Sequence, residues 1–295
     1  MKRYILLFIL ICSFNFLKAQ EDTAVVADPD EGIEYAEKSF WTTRVINGHS
    51  LENLNKGELD FRISHRMGRA ETGPSGMFGL YQASNQLGLE YGVNNRLMVG
   101  IANGVNHKTF LGFFKFKLLR QSSGKKTMPV TLSWYSNVAA ITEQLNYPDS
   151  SYYVGSRFHY THQLLIGRKF NDRLTLQFMP TYIHANMVRT EKDANDIFAV
   201  GFSGRFKISK KLALTAEYYY LLPNQIDSKL NGQKVSNSLS IGFDIYTGKH
   251  VFQLFVTNSM AMDEKSVITE TTEKWPEQIH IGFNIARIFT VVDSE

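Results

Sequence analysis

The sequence offers few side chains whose types and spacing suggest chemistry. His159 and His162 stand close together in HYTH, and two imidazoles could share a metal. On an extended strand alternate side chains take opposite faces, so a spacing of three turns the two rings apart. The other histidines are scattered and the single cysteine, Cys12, lies near the N-terminus. No tetrahedral ligand set is gathered, so neither a metal nor another cofactor is expected. Ser64 and His65 are adjacent and also point apart. A serine–histidine pair across neighbouring strands stays open until strand pairing is known. Gly201-Phe202-Ser203-Gly204 misses the nucleophile elbow by one residue. Neither a phosphate loop nor a dinucleotide motif is present.

Charged residues set at every second position are more numerous. Asp60, Arg62, Arg66, Glu90, Lys115, Lys117, Arg157, His159, Arg205, Lys207, Glu217, Asp244 and His280 all alternate with apolar neighbours. Acids and bases interspersed in this way suit one of two tasks. They pair as a structural network that fills an interior, or they line a selective polar pore. The network is the favoured reading. No residue is assigned a catalytic role.

The elements that must position them start after a leader. Lys2 and Arg3 precede an apolar run of ten residues, Ile5 to Phe14, and Leu17-Lys18-Ala19 offers a small residue for cleavage. Residues 1–19 read as an export signal, too short for a membrane span. Cys12 lies inside it behind the bulky Ile11, so no lipid anchor is expected. The exported chain then has no thiol and no disulfide. Lys2, Arg3 and Lys18 supply three of the four net positive charges, which leaves +1 after cleavage. That balance gives no electrostatic case for nucleic acid. No later run of 18 apolar residues occurs, so no transmembrane helix is expected. Residues 20–57 form an N-terminal segment. Gln20 to about Glu37 is acidic and reads as a flexible tail. Phe40–Glu58 holds an apolar set (Phe40, Trp41, Val45, Ile46), then Ser50 as a helix N-cap candidate before Leu51 and Leu54. It immediately precedes the first strand, so it can reach the periplasmic mouth of a barrel or enter the lumen as a plug.

From Leu59 onward apolar residues alternate in twelve runs, from Leu59-Phe61-Ile63 to Ile279-Ile281-Phe283-Ile285. Short connections (Asn94-Asn95, Asn171-Asp172, Ser209-Lys210, Thr247-Gly248-Lys249 and a longer Gln121 to Thr127) alternate with longer ones such as Gly68–Ser84 and Ser259–Glu277. Asn, Asp and Gly suit tight hairpin turns. An up-and-down barrel with short periplasmic turns and longer outer loops gives this alternation. A soluble β-protein would bury the apolar face and wet the polar one. Against it stand apolar sets nearly unbroken over strands of membrane length, and aromatics such as Phe170, Trp134, Tyr182, Tyr218, Tyr246 and Phe289 at strand ends. The fold class is therefore all-β, an up-and-down antiparallel transmembrane β-barrel of about twelve strands over residues 58–290. Its greasy face meets lipid, and residues 291–295 form a short tail after Phe289.

Several stretches carry a resemblance: RVINGHS (Arg44–Ser50), GELDFRISHRMG (Gly57–Gly68), LGLEYGVNNRLMVGIA (Leu87–Ala102), FKLLRQ (Phe116–Gln121) followed by MPV (Met128–Val130), and GFNIARIF (Gly282–Phe289). Together they resemble an uncharacterised family of Bacteroidota β-barrel proteins, a domain of unknown function, over roughly Phe40 to Phe289. The resemblance implies an outer-membrane barrel and supplies no substrate or catalytic residue. The expectation is thus a protein of the outer membrane of a Gram-negative bacterium, a non-enzymatic narrow channel or structural envelope protein. Its expected partners are outer-membrane lipid, the assembly machinery and a small polar solute. A lipid- or envelope-modifying barrel enzyme and a soluble secreted ligand-binding barrel are the alternatives.

Overall fold

A computed structural model of the chain describes residues 32–143, 154–248 and 250–292. The leader 1–19, most of the acidic tail, residues 144–153, Lys249 and the last three residues lie outside the described residues. Twelve strands close into one barrel: β1 (Glu58–Arg69), β2 (Ser84–Gly92), β3 (Leu97–Gly104), β4 (Thr109–Leu119), β5 (Thr131–Ile141), β6 (Phe158–Lys169), β7 (Leu174–Ala185), β8 (Asp196–Lys207), β9 (Leu212–Leu221), β10 (Ser238–Tyr246), β11 (His250–Thr257) and β12 (His280–Thr290). Each pairs antiparallel with its sequence neighbours, and β12 closes on β1 with Ile285 opposite Ile63 and Phe289 opposite Leu59. The twelve alternating runs of the sequence are these twelve strands.

Exposure follows the alternation in the inverted sense that lipid demands. On β7, Leu176 and Phe178 are 47% and 37% exposed, while Thr175, Gln177 and Thr181 are buried. The apolar side of each strand faces outward and the polar side faces the lumen. Such a sheet has to close, because an open edge in hydrocarbon leaves unpaired backbone groups.

The tight turns explain their sequences. Asn94 Oδ1 accepts from the backbone N–H groups of Arg96 and Leu97, both at 2.8 Å. Asn171 repeats the pattern with Arg173 and Leu174 at 2.8 and 2.9 Å, and Ser209 Oγ does so with Lys211 and Leu212. A short side chain thus ties off each reversal. The longer short-side connection does something else. Ser122–Gly124 forms a two-stranded ribbon with Ile33–Tyr35, and Arg120 lies 3.5 Å over the Tyr35 ring. This corrects the expectation of a flexible tail up to about Glu37. A three-residue pairing is too short to show as periodicity.

The segment Phe40–Leu54 runs inside the barrel. Phe40, Val45, Ile46, Leu51 and Leu54 are buried against inward-facing Met98, Phe113, Tyr135, Leu165, Met179 and Ile183. The apolar core therefore sits in the middle of a polar lumen, and each of those plug side chains contributes about 1.5–3 kcal/mol by leaving water. No helix follows Ser50, contrary to the capping expectation. Its hydroxyl donates to Thr42 O at 2.6 Å and accepts from Glu52 N at 3.1 Å, closing an irregular turn. Gly57 joins the plug to β1 at a φ of 79°. Its N–H donates to Gly92 O and its carbonyl accepts from Val291 N. A Cβ there would stand 2.1 Å from Val292 O, so only glycine fits. From the other end, the loop after β11 carries a helix, α1 (Glu264–Thr269), capped by Asp263, whose side chain accepts from Ser266 N. Six residues are too few for helical periodicity to show in the sequence.

The direction of the faces is testable at Leu254, halfway along β11 and 53% exposed. Leu254→Arg is expected to lower folding stability in lipid vesicles by about 2–4 kcal/mol, read by urea titration. A change within about 0.5 kcal/mol, the range of ordinary surface substitutions, would mean that this face meets water.

Candidate functional site: the plugged lumen

The lumen is built around a chain reversal. At Val45–Gly48 the plug turns, and Val45 N donates to Gly48 O. The turn directs three backbone N–H groups at one carboxylate. Glu217 on β9 accepts from Ile46 N (3.4 Å), Asn47 N (3.2 Å) and Gly48 N (2.9 Å). A buried carboxylate needs such donors, and a buried turn needs such an acceptor. Gly48 is obligatory for packing, since a Cβ there would lie 2.0 Å from the Tyr219 hydroxyl. Tyr219 faces inward, between the outward Tyr218 and Tyr220.

The plug is bonded to strands around most of the circumference. Arg66 of β1 donates to Asn47 Oδ1 at 2.9 Å. On β2, Glu90 meets the Thr43 hydroxyl and, at 3.5 Å, Arg44 Nε. Lys115 of β4 spends its ammonium on the carbonyls of Thr43, Ser50 and Glu52. Gln177 of β7 donates to His49 O and Gln253 of β11 to Val45 O. Ser240 of β10 accepts from Asn47 Nδ2, and Asn284 of β12 donates to Ile46 O. With Glu217 of β9, these bonds tie residues 43–52 to eight of the twelve strands.

Helix α1 meets the plug from the opposite end. Glu264 accepts from Arg44 Nη1 at 3.1 Å, from the Tyr135 hydroxyl at 3.0 Å and from Asn137 Nδ2 at 2.9 Å. His49 lies 3.9 Å from the same carboxylate, with its ring 4.1 Å from Tyr135 and 4.7 Å from Phe113. Farther out, Glu270 at the end of α1 gathers His107 (3.0 Å), Arg189 (3.1 Å) and Lys265, which clamps the outer loops together.

The inward candidates occupy distinct positions. Asp60, Arg62 and Glu90 form one cluster, with Arg62 3.0 Å from Asp60 and 4.0 Å from Glu90. Arg205 donates to Lys38 O and lies over the Trp41 ring. Asp244 is held by Gln253 and Thr215. His159 faces Asp263 at 3.7 Å, and His280 Nδ1 lies 3.0 Å from Met67 O. Lys117 and Lys207 are half-buried near the short-turn end. Arg157 is a correction. It lies in the turn before β6, and its guanidinium donates to the carbonyls of Ile141 and Glu143 instead of entering the lumen. His49, Glu264, Asn47, Tyr135 and Tyr219 complete the site and were not singled out by the sequence. A signal was present: Met98, Leu111, Phe113, Tyr135, Met179 and Tyr219 break the polar alternation of the inner face. Apolar groups pointing inward require something apolar to cover them. Among the described residues no three metal-ligating side chains gather. A cavity of about 980 Å³ remains at the short-turn end, lined by Lys38, Trp41, Glu52, Lys207, Lys210 and Tyr246 among others.

Two outcomes follow from this geometry. Glu217→Ala removes the acceptor of three buried N–H groups, each about 1–3 kcal/mol when left unpaired. Amide exchange at residues 45–49 is expected to rise at least about tenfold, with strand amides still protected. Equal protection in the variant would show that the carboxylate does not hold the plug. The second outcome concerns pH. The hydrogen bond to Glu270 raises His107 from its ordinary 6.5 to about 9, against the opposing effect of burial, with Glu143 adding to the rise. Burial pushes the Glu270 carboxyl up, yet Lys265, His107 and Arg189 hold it well below the ordinary range. The histidine contribution is complete below about 6.5 and is lost as pH rises through about 9. The carboxylate contribution is present above its ordinary 4.5 and is lost well below it. Proteolysis of the outer loops should therefore quicken between pH 7 and pH 10, and His107→Gln should flatten that dependence.

A family model described as a membrane bound beta barrel domain (DUF5777) matches residues 40–289. No curated protein matches the chain in sequence. Among solved structures, the KdgM porin is similar at 8% identity over 79% of this chain and 99% of its own, with a TM-score of 0.45. The NanC porin is similar at 8% identity over 79% and 100%, also with a TM-score of 0.45. Omp33 of Acinetobacter baumannii follows at 8% identity, 79% and 99%, with a TM-score of 0.42. No functional weight rests on likenesses this distant. The family match spans the plug and all twelve strands: the chain belongs to the membrane bound beta barrel domain family, DUF5777.

Proposed function

We propose that the protein is an outer-membrane barrel of a Gram-negative envelope, a narrow conduit for small polar solutes that its own N-terminal segment holds shut. The lipid-facing wall, the short turns at one end and the longer loops at the other support that setting, with the short turns toward the periplasm. It reaches the membrane by export and by the machinery that assembles such barrels. The ring of hydrogen bonds between residues 43–52 and eight strands carries the reading of closure.

The wall itself favours a conduit over a purely structural cylinder. Thr161 and Thr175 hydroxyls, Ser133 and Ser203 Oγ, Gln177 Oε1 and two nitrogens of Arg205 are buried without a protein partner. Hydroxyls and amides that the plug leaves without a protein partner are placed to meet water or a polar solute. A wall that meets water and solute when the plug moves has a use for them.

Planar-bilayer conductance tests the proposal. The full chain is expected to insert with rare or no current steps. Arg44→Ala/Glu217→Ala, which cuts the bonds to Glu90, Glu264 and the turn amides, is expected to raise step frequency at least about tenfold, since a single buried pair broken costs about 3–5 kcal/mol. Equal, frequent steps in both proteins would mean an open lumen. Silence in the variant would mean a structural barrel.

A further inference from the structure

The outer wall carries polar groups that the lumen does not explain. Between β4 and β8 its lipid-facing residues are mostly large and apolar, including Phe114, Trp134, Val138, Leu164 and Phe178. Ser136 of β5 and His162 of β6 interrupt this wall and stand directly opposite each other in register. Both belong to the outward face by alternation with the lumen-facing Tyr135, Asn137, Thr161 and Gln163, and Ser136 is recessed there to 8% exposure. An ionisable side chain on a lipid-facing wall is costly, and one that is kept marks a functional site by default. An alanine pair would avoid that cost.

The geometry suits nucleophilic chemistry. Ser136 Oγ lies 2.9 Å from His162 Nδ1. With Nδ1 accepting, the neutral ring carries its proton on Nε2, and Nδ1 is the base for the hydroxyl. The ring is stacked on Tyr182 of β7, with centroids 6.0 Å apart and planes 12° apart. Tyr182 is fixed in turn, since its hydroxyl donates to Asp196 Oδ1 at 2.7 Å. A hydroxyl with a base in contact with it is the core of an activated nucleophile, and the Tyr182 ring limits how that base can turn. The wall also has room beside the pair. Gly112 of β4 faces outward opposite Val138, and a Cβ there would meet nothing within 4 Å. It stands diagonally across from Ser136, about 7 Å away, in a notch between Phe110 and Phe114 on the outward face of β4.

We propose that Ser136 and His162 are the nucleophile and base of an acyl-ester hydrolase on the outside of the barrel, acting on membrane lipid. The notch faces lipid, so the carbonyl that reaches Ser136 is that of an acyl ester. Ser136 Oγ attacks the carbonyl carbon as its proton passes to His162 Nδ1. The bond to the alcohol oxygen breaks, and the alcohol leaves with that proton. Water from the interface then attacks the acyl–serine ester and gives a proton to His162. The fatty acid departs, and Ser136 recovers its hydrogen. One ester and one water yield one alcohol and one fatty acid, with no change of oxidation state. The activity does not rest on the lumen being a conduit.

The test is fatty-acid release by the full chain, refolded into phosphatidylethanolamine–phosphatidylglycerol vesicles and, separately, into mixed lipid–detergent micelles. Release is expected in at least one of them. Ser136→Ala and His162→Gln should each lower it at least about 100-fold, with the heat-shifted gel mobility of a folded barrel retained and conductance unchanged. Tyr182→Leu frees the ring and should shift the pH profile of the remaining activity, which a merely structural role for Tyr182 would not do. No release in either preparation, or release that Ser136→Ala leaves intact, overturns the proposal.

Discussion

Hydrocarbon offers no hydrogen bonds, and most of this structure follows from that. Every backbone N–H and C=O in the membrane must find its partner within the protein, so twelve strands close on one another and β12 returns to β1. Closure divides each strand into two faces with opposite requirements. Apolar residues go outward because only lipid is there. Polar residues go inward, and a problem moves inward with them: a ring of charges and amides in a narrow space needs partners of its own.

The N-terminal segment supplies those partners with its backbone as much as with its side chains. Glu217 is matched by three N–H groups, Lys115 by three carbonyls, and Gln177, Gln253 and Asn284 by one carbonyl each. Irregular chain is tolerated at membrane depth here because it is enclosed by protein. Glu264 brings the outer loop into the same arrangement through Arg44, so segments entering from opposite ends meet on one carboxylate.

The strands were legible in the sequence because lipid enforces a strict period of two, and the turns because Asn94, Asn171 and Ser209 do a local job. The inward placement of Asp60, Arg62, Glu90, Lys115, Arg205, Glu217 and Asp244 follows from the same period. Arg157 was misplaced because the alternation extends by chance to one residue before β6 begins. The Arg44–Glu264 contact joins residues 220 positions apart, and no local pattern encodes it. Helix α1 and the Ile33–Tyr35 ribbon are shorter than the window that periodicity needs. Ser136 is unmarked in sequence, and His162 stands out there only beside His159. Only strand register makes them a pair.

Gly57 limits how the lumen can open. Leu54 is buried inside and Glu58 already belongs to the wall, so three residues connect them, at most about 10 Å of extended chain. The last of the three is fastened to the rim through Gly92 and Val291. The segment therefore cannot leave as a cork leaves a bottle. It can only bow out as a loop held at both ends, by Asn55–Gly57 on one side and by the Ile33–Tyr35 ribbon on the other, into the space at the short-turn end. An opened lumen would keep its door attached and partly in the way, which makes the aperture a crescent along one wall instead of a full circle.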